Sequence, residues 1–156
     1  MRAVLFICTG NLFRSAIAEG VMRQALREAG LDHIEVASAG TAAALGLPAA
    51  STAVRVCAEH GIDLSGHRSQ PLAAALIRRA DLILGMEESH TQAARALAPE
   101  AAPRIDLLRR FAPQGPAEEE IADPINAISD EVYRSCFREI RDCVRGLIAA
   151  LQQGGG

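Results

Sequence analysis

A cysteine, five further residues, an arginine and a serine stand together near the start of the chain, at Cys8, Arg14 and Ser15. A loop of this length between a strand and a helix can turn its backbone N–H groups inward as a cradle for an anion. The following helix adds unpaired N–H groups and the positive end of its dipole. The planar guanidinium of Arg14 matches two phosphate oxygens at once, which lysine cannot do. The predicted phosphate-binding loop consists of Thr9, Gly10, Asn11, Leu12, Phe13, Arg14 and Ser15.

The same loop can activate the thiol of Cys8. A helix N-terminus and a nearby cation favour the thiolate form of a cysteine, and a thiolate held against a phosphate group is a nucleophile aimed at phosphorus. Ser15 can donate its hydroxyl to that sulfur and help it leave from phosphocysteine. Gly10 and Asn11 suit the unusual backbone dihedrals that such a loop needs. The alternative is that Cys8 is only a buried core thiol and Arg14 a surface residue. The strand, loop and helix context favours the nucleophile.

Short apolar runs that alternate with helical patterns surround this loop. Ala3–Ile7 is apolar throughout and ends abruptly at Cys8, which is typical of a buried strand that enters a turn. Three further strands are predicted at Ile34–Ala37, Asp81–Leu84 and Arg104–Leu108. Helices are predicted at Ile17–Ala29, Pro48–His60, Leu72–Arg79 and Ser89–Leu97, and a last one after Ser129. The alternation predicts an α/β fold, with a parallel sheet between helices and ligands at the carboxyl ends of its strands.

The carboxyl-terminal part of the chain combines a polar loop with a long amphipathic helix. Phe111–Asn126 is rich in Pro, Gly and Glu, and its acidic run Glu118–Glu120 is predicted to be solvated. Ser129 is placed to cap the helix that follows. The expected apolar face of that helix comprises Ile128, Val132, Cys136, Ile140, Cys143, Val144, Leu147 and Leu151. One domain is expected over residues 1–153, with a frayed glycine tail at 154–156.

The composition argues against several classes of function. A net charge of −3 without a basic cluster makes nucleic acid an unexpected partner, and no apolar run has membrane-spanning length. Four scattered cysteines and four histidines form no zinc pattern, so neither a metal nor another cofactor is expected. Free thiols suit a reducing compartment, and no secretory signal precedes the first strand, so a cytoplasmic protein is expected. His33, His60 and His90 are expected on exposed faces or at helix ends.

The motifs of the chain, taken in order, resemble those of the low-molecular-weight protein tyrosine phosphatases. That family carries Cys-x-Gly-Asn-(Ile/Leu)-Cys-Arg-Ser after its first strand, a pattern that residues 8–15 nearly repeat. Other matching segments are Ser38-Ala39-Gly40-Thr41, Gly61-Ile62-Asp63, His67-Arg68-Ser69, Asp81–Glu87 and Asp123-Pro124. The resemblance covers nearly the whole chain. It implies a single three-layer domain with a four-stranded parallel sheet and the phosphate-binding loop after the first strand.

The resemblance also implies a two-step mechanism. Cys8 would attack phosphorus while Asp123 protonates the leaving oxygen, and Asp123 would then be the base for the water that hydrolyses phosphocysteine. Judged alone, an Asp-Pro pair is usually only a turn. The loop N–H groups and Arg14 would hold the phosphoryl oxygens, where transition-state charge gathers. The network implied to support the loop consists of Asn11, Ser15, Ser38 and His67.

The implied partners are a phosphorylated protein or peptide substrate and inorganic phosphate or other oxyanion inhibitors. The expected assembly state is a monomer or a weak dimer. Phe13 replaces the family's second loop cysteine, which can protect the nucleophile as a disulfide, so overoxidation of Cys8 is expected here.

The residues expected to line the substrate cleft leave the substrate class open. Ile125 and Asn126 follow Asp-Pro where phosphotyrosine enzymes often place aromatic residues, and Thr41–Leu47 has none either, so weak ring stacking is expected. A protein-arginine phosphatase of the same fold is the main alternative, because certain bacterial relatives with that activity share an Asp-Pro segment followed by small residues and a Tyr-bearing helix, much like Asp123–Tyr133. Those relatives typically carry Thr at the position of Leu12, so Leu12 favours phosphotyrosine.

Two further alternatives are weaker. A thiol-coupled arsenate reductase would need additional cysteines in Gly85–Ala98, which has none. A non-catalytic phosphate-binding module would need neither a nucleophile nor an acid, so the presence of both Cys8 and Asp123 argues against it.

Overall fold

The apolar run near the start of the chain forms a central strand of the sheet. The computed structural model describes residues 1–113 and 120–154, with β1 (Ala3–Cys8) between β2 (Glu35–Gly40) and β3 (Leu82–Gly85), and β4 (Ile105–Leu107) beyond β3. All strand pairs are parallel. The helices are α1 (Arg14–Glu28), α2 (Ser51–Ala58), α3 (Ala74–Arg79), α4 (Glu88–Leu97) and α5 (Asp130–Gln153). The predicted α/β fold, a four-stranded parallel sheet flanked by helices, is confirmed.

Alternate residues of β1 face opposite layers of helices. Val4 and Phe6 pack into the core formed with α1, α2 and α5, whereas Leu5 and Ile7 belong to the core formed with α3 and α4. A strand buried on both faces has no position for a polar side chain. This is why β1 reads as a continuous apolar run in the sequence.

The register of the sheet brings the carboxyl ends of three strands together. Cys8 pairs with Gly40 of β2, and Ile7 pairs with Gly85 of β3. The segments that follow these strands therefore meet at one edge of the sheet, where parallel α/β folds bind their ligands.

Several predicted boundaries differ from the structure by one to three residues, and two of these differences have a clear physical cause. β2 continues to Gly40 instead of ending at Ala37, because the small residues after Ala37 keep pairing with β1. α2 begins at Ser51 and not at Pro48, since Ala50 still has an extended backbone with ψ of 142°. The N–H of Ala50 donates to a carbonyl of the phosphate-binding loop, which fixes that extended conformation.

The amino-terminal end of α5 departs from its predicted apolar face. Ser129 accepts a hydrogen bond from the N–H of Glu131, as predicted for a cap. Ile128 precedes the helix and is fully exposed, and Val132 is 47% exposed, so both assignments were wrong. In the first turn of the helix Tyr133 packs against the core, and the continuous buried face begins at Cys136. The buried face comprises Cys136, Phe137, Ile140, Cys143, Val144, Leu147 and Ile148.

Some predictions fall on residues that the structure does not describe. Two residues of the acidic run, Glu118 and Glu119, and positions 155–156 of the glycine tail lie outside the described ranges. Across residues 1–113 and 120–154, no helix is both long and apolar enough to span a bilayer. In the same ranges, no three His, Cys, Asp or Glu side chains are grouped so as to hold a metal ion.

Candidate active site

The loop between β1 and α1 folds around the sulfur of Cys8. Cys8 is the last residue of β1 and is buried, with its Sγ 2.9 Å from Ser15 Oγ and 3.2 Å from the N–H of Asn11. Asn11 adopts the left-handed conformation with φ of 58°, alone among the described residues other than glycine. Gly10 does not have a positive φ, although the sequence suggested an unusual backbone conformation at this position. The loop thus directs the N–H of Asn11 and the hydroxyl of Ser15 at the thiol.

A glycine after β2 makes room for this loop. A Cβ atom at Gly40 would lie 2.5 Å from the carbonyl O of Thr9 and 3.0 Å from the backbone N of Asn11. Both distances are shorter than van der Waals contact. The Gly40 position therefore allows β2 to approach the backbone of the loop closely.

The side chain of Asn11 supports the loop from inside. Its Nδ2 donates to Ser15 Oγ at 2.8 Å and to Ser38 Oγ at 2.9 Å, and His67 Nε2 donates to the Asn11 carbonyl at 2.7 Å. The four residues predicted for the supporting network are thus joined by hydrogen bonds. Because Ser15 Oγ accepts from Asn11, its own proton is available to a Cys8 thiolate.

Two members of this network were missed by the sequence analysis. Ser38 Oγ donates to Glu19 Oε1 at 2.6 Å, and the N–H of Gln70 donates to Asn11 Oδ1 at 3.0 Å. Glu19 lies on α1, one turn beyond Ser15. The only sign of its contact in the sequence was a charged residue on a helix face that is half-buried. Nothing in the sequence around Gln70 indicated its contact.

Arg14 is the most deeply placed charged side chain of the site, with 2% of its surface exposed. Its Nη1 donates to Glu87 Oε2 at 2.6 Å and to the carbonyl O of Ile121 at 2.8 Å. Its Nη2 lies 3.4 Å from Asp123 Oδ2. Glu87 had no function assigned from the sequence, although the position just after β3 is where an active-site group is expected.

His90 is at a helix end, which was one of the two placements expected for it. It lies in the first turn of α4 but is only 1% exposed. Its Nδ1 accepts from the N–H of Glu87 at 3.0 Å, so the ring proton is on Nε2, which donates to Thr9 Oγ1 at 2.9 Å. Burial, and then the charge of Arg14, lower the pKa of His90 to about 4, so the ring is neutral near pH 7.

Asp123 lies in a segment that we call the acid loop, residues 120–125. Its Oδ1 accepts from the N–H of Ile125 at 3.1 Å, and its side chain is 35% exposed. The N–H of Ile121 donates to the carbonyl O of Met86, which docks this segment beside β3. Asp123 therefore has access to solvent and to Arg14 at the same time.

A cavity of about 240 Å³ opens above Cys8 and corrects the expected cleft wall. Ile125 lines it as expected, but Phe13 and Tyr133 line it too. Their rings pack with centroids 5.4 Å apart and planes inclined by 55°. Aromatic contact to a substrate is therefore available, from the loop and from α5 instead of the positions after Asp-Pro. The full lining is Cys8, Gly10, Leu12, Phe13, Arg14, Ala50, Thr52, Asp123, Pro124, Ile125 and Tyr133.

The groups at this cavity suit phosphoryl transfer through a covalent intermediate. The Cys8 thiol accepts the N–H of Asn11, and the buried Arg14 side chain and the Asp123 carboxyl group line the same cavity. Positioned donors of this kind stabilise the charge on the phosphoryl oxygens in the transition state. The fold and the Cys-x5-Arg loop together have the arrangement that cysteine-dependent phosphoryl transfer requires.

The comparisons with known proteins identify the family. The chain belongs to the low molecular weight phosphotyrosine protein phosphatase family, whose model matches residues 3–155. Over 86 residues, 55% of this chain and 56% of the relative, it is 46% identical to the probable low molecular weight protein-tyrosine-phosphatase EpsP of Ralstonia solanacearum. The matched stretch is thus only about half the length of that relative.

Two solved structures are similar over nearly their whole length. A low molecular weight protein tyrosine phosphatase from T. tengcongensis is 36% identical with a TM-score of 0.87, covering 96% of this chain and 99% of that one. The YwlE arginine phosphatase from Geobacillus stearothermophilus is 32% identical with a TM-score of 0.86, covering 99% and 95%. The fold alone therefore does not separate the two substrate classes.

Proposed function

We propose that this protein hydrolyses phosphotyrosine in protein substrates through a phosphocysteine intermediate. The observation that carries the proposal is the position of the Cys8 sulfur, held by Ser15 and the N–H of Asn11 on the floor of the cavity that Arg14 and Asp123 also line. The family acts on phosphorylated proteins. A thiol with these neighbours is placed for nucleophilic attack on a phosphoryl group bound in the loop.

In the first step, the Cys8 sulfur forms a bond to phosphorus while the bond from phosphorus to the phenolic oxygen breaks. Asp123 gives its proton to that oxygen, so tyrosine leaves as a neutral phenol. The loop N–H groups and the free side of the Arg14 guanidinium hold the equatorial oxygens. Glu87 and the Ile121 carbonyl fix the orientation of the guanidinium.

In the second step, water attacks phosphorus and the bond from phosphorus to sulfur breaks. Asp123, now ionised, accepts a proton from the water. The hydroxyl of Ser15 donates to the sulfur as it leaves as a thiolate, because Asn11 already donates to the Ser15 oxygen. Inorganic phosphate is the product, and it and other oxyanions are expected to inhibit by occupying the loop.

The cavity wall favours an aromatic substrate side chain. Phe13 and Tyr133 offer aromatic contact, and Leu12 and Ile125 complete an apolar wall. A protein-arginine phosphatase is the second candidate, because the likeness to the YwlE arginine phosphatase is as close in structure as the likeness to a tyrosine phosphatase. A guanidinium-bearing substrate would find Asp123 and Thr52 as polar partners on a wall that is otherwise mainly apolar.

A thiol relay of the arsenate-reductase type has little support. Burial raises the pKa of Cys57 and of Cys136 to about 12 and also raises the pKa of Cys143, so all three remain protonated thiols near neutral pH. We further propose a cytoplasmic location and a monomer or weak dimer. The free state of all four cysteines supports the reducing compartment.

The proposal is tested by measuring phosphate release from phosphotyrosine and phosphoarginine peptides in parallel, with Cys8→Ser as the control. We expect preference for phosphotyrosine, no turnover by Cys8→Ser, and retained binding of molybdate by that variant in calorimetry. Preference for phosphoarginine would keep the mechanism and reject the substrate class. Undiminished hydrolysis by Cys8→Ser would reject the mechanism.

A further inference from the structure

The acid loop reaches the active site across the N-terminus of α4. Glu120 Oε2 accepts a 2.7 Å hydrogen bond from the backbone N–H of Glu88, the first residue of α4. The N–H of the next residue, Ile121, donates to the carbonyl O of Met86 at 2.9 Å. Two consecutive residues of the loop are thus attached to the junction of β3 and α4.

Asp123 has few contacts of its own to hold it in place. Among the described residues, its carboxylate has two polar contacts. It accepts from the N–H of Ile125 in a local turn, and it lies 3.4 Å from Arg14 Nη2. Ile121, by contrast, is fully buried and receives the second hydrogen bond of Arg14 Nη1. The position of Asp123 therefore depends on how the two residues at the start of the acid loop are attached.

The first N–H group of α4 has no acceptor within its own helix, and the helix dipole favours a negative group there. Glu87, the N-cap, uses its carboxylate for Arg14 and for the third residue of the helix. Glu120 therefore supplies the acceptor for the N–H of Glu88. The sequence predicted a merely solvated carboxylate at this position, because the contact joins residues 32 apart.

We propose that Glu120 is a positioning residue that holds Asp123 over the leaving group through its hydrogen bond to the N-terminus of α4. The inference rests on the proposed function, in which Asp123 is the general acid. It assigns to Glu120 no contact with the substrate. A side chain that cannot accept the bond from Glu88 should leave the acid loop attached by Ile121 alone.

A displaced general acid affects poor leaving groups more than good ones. The p-nitrophenolate ion leaves readily without a proton, whereas phenolate needs one in the transition state. The ratio of kcat/KM for phenyl phosphate to kcat/KM for p-nitrophenyl phosphate therefore reports the placement of the acid. The ratio does not depend on the fraction of folded enzyme, so a loss of stability alone cannot change it.

The experiment compares this ratio in the wild type, Glu120→Ala, Glu120→Gln and Asp123→Asn. We expect Glu120→Ala to lose about tenfold on phenyl phosphate and no more than about twofold on p-nitrophenyl phosphate, a fraction of the full general-acid contribution. The amide oxygen of Glu120→Gln can accept the same hydrogen bond. That variant should keep a ratio within about twofold of the wild type.

The outcomes separate the two claims. Equal losses on both substrates in Glu120→Ala, with a selective loss in Asp123→Asn, would overturn the role of Glu120 and leave the proposed function standing. A ratio in Glu120→Gln as low as that of Glu120→Ala would overturn the hydrogen-bond argument. An unchanged ratio in Asp123→Asn would overturn Asp123 as the acid, and with it the role of Glu120.

Discussion

Arg14 Nη1 lies 2.6 Å from Glu87 Oε2, although Arg14 begins α1 and Glu87 follows β3. The guanidinium is 2% exposed and the carboxylate 32% exposed, so this pair compensates a buried charge. The contact occupies one edge of the guanidinium and leaves Nη2 directed toward the side of Asp123. Glu87 thereby selects the face of Arg14 that a phosphate group can use.

Replacement of Glu87 by alanine should weaken oxyanion binding. Loss of the negative charge alone would favour an anionic ligand, so weaker binding would report lost positioning of the site, with Arg14 as its charged member. We expect the inhibition constant of inorganic phosphate to rise about tenfold in Glu87→Ala, comparable to the loss of one charge-assisted hydrogen bond. Competition kinetics measure it. Glu88→Ala removes the neighbouring charge, which pairs with half-buried Arg95, and should stay near the wild type. Tighter phosphate binding by Glu87→Ala would contradict the orienting role.

The fold was predictable because its signals are local. The buried strand at Ala3–Ile7 needs an unbroken apolar run, and the loop chemistry lies within eight consecutive residues. The end of β2 was mispredicted because Ser38-Ala39-Gly40 resembles a turn, while pairing with β1 keeps it extended. Local composition does not contain that long-range pairing.

The site was predictable only where its residues are adjacent in the chain. Glu87 and His90 reach the phosphate-binding loop across 73 and 81 residues, and Glu120 reaches the N-terminus of α4 across 32 residues. No spacing rule in a single sequence reveals such contacts, and a buried neutral histidine looks like any other histidine. The aromatic pair of Phe13 and Tyr133 was missed for the same reason.

The burial of His90 should make stability depend on pH. Its pKa is lowered to about 4 from an ordinary 6.5 by burial and then by Arg14, so between these values the unfolded chain binds a proton that the folded chain does not. Stability contributed by the neutral ring is complete above about pH 6.5 and is lost as pH falls toward 4. When the pH is lowered from 7 to 5, the free energy of unfolding should fall by about 2 kcal/mol because of His90.

Urea denaturation at pH 7 and pH 5 measures this dependence. The variant His90→Asn keeps an acceptor for the Glu87 N–H but cannot titrate, so its unfolding free energy should fall by about 2 kcal/mol less than that of the wild type. Parallel losses in the two proteins would show that His90 does not resist protonation in the folded state.

Oxidation of Cys8 should be difficult to reverse. Phe13 occupies the place where the family has a second loop cysteine, and burial keeps Cys136 a protonated thiol, with its pKa raised to about 12. Neither can resolve a sulfenic acid efficiently, so peroxide should drive Cys8 to sulfinic acid. We expect little recovery of activity with dithiothreitol. Phe13→Cys should recover most of it, and full recovery of the wild type under the same treatment would reject the prediction.

A glycine inside α5 should resist replacement by the best helix former. Gly146 lies where a Cβ atom would approach the carbonyl O of Phe111 within 1.8 Å, in the turn that follows β4. Alanine normally gains about 1 kcal/mol over glycine in a helix, but the clash must displace backbone and not a side-chain end. We expect Gly146→Ala to lose at least about 2 kcal/mol, within the usual cost of overpacking. Ala149→Gly, on the exposed face of the same helix, should lose about 1 kcal/mol from helix propensity alone. Thermal unfolding of both variants measures the two losses of stability. A stabilised Gly146→Ala would contradict the prediction, because it would mean that α5 can move away from Phe111 without cost.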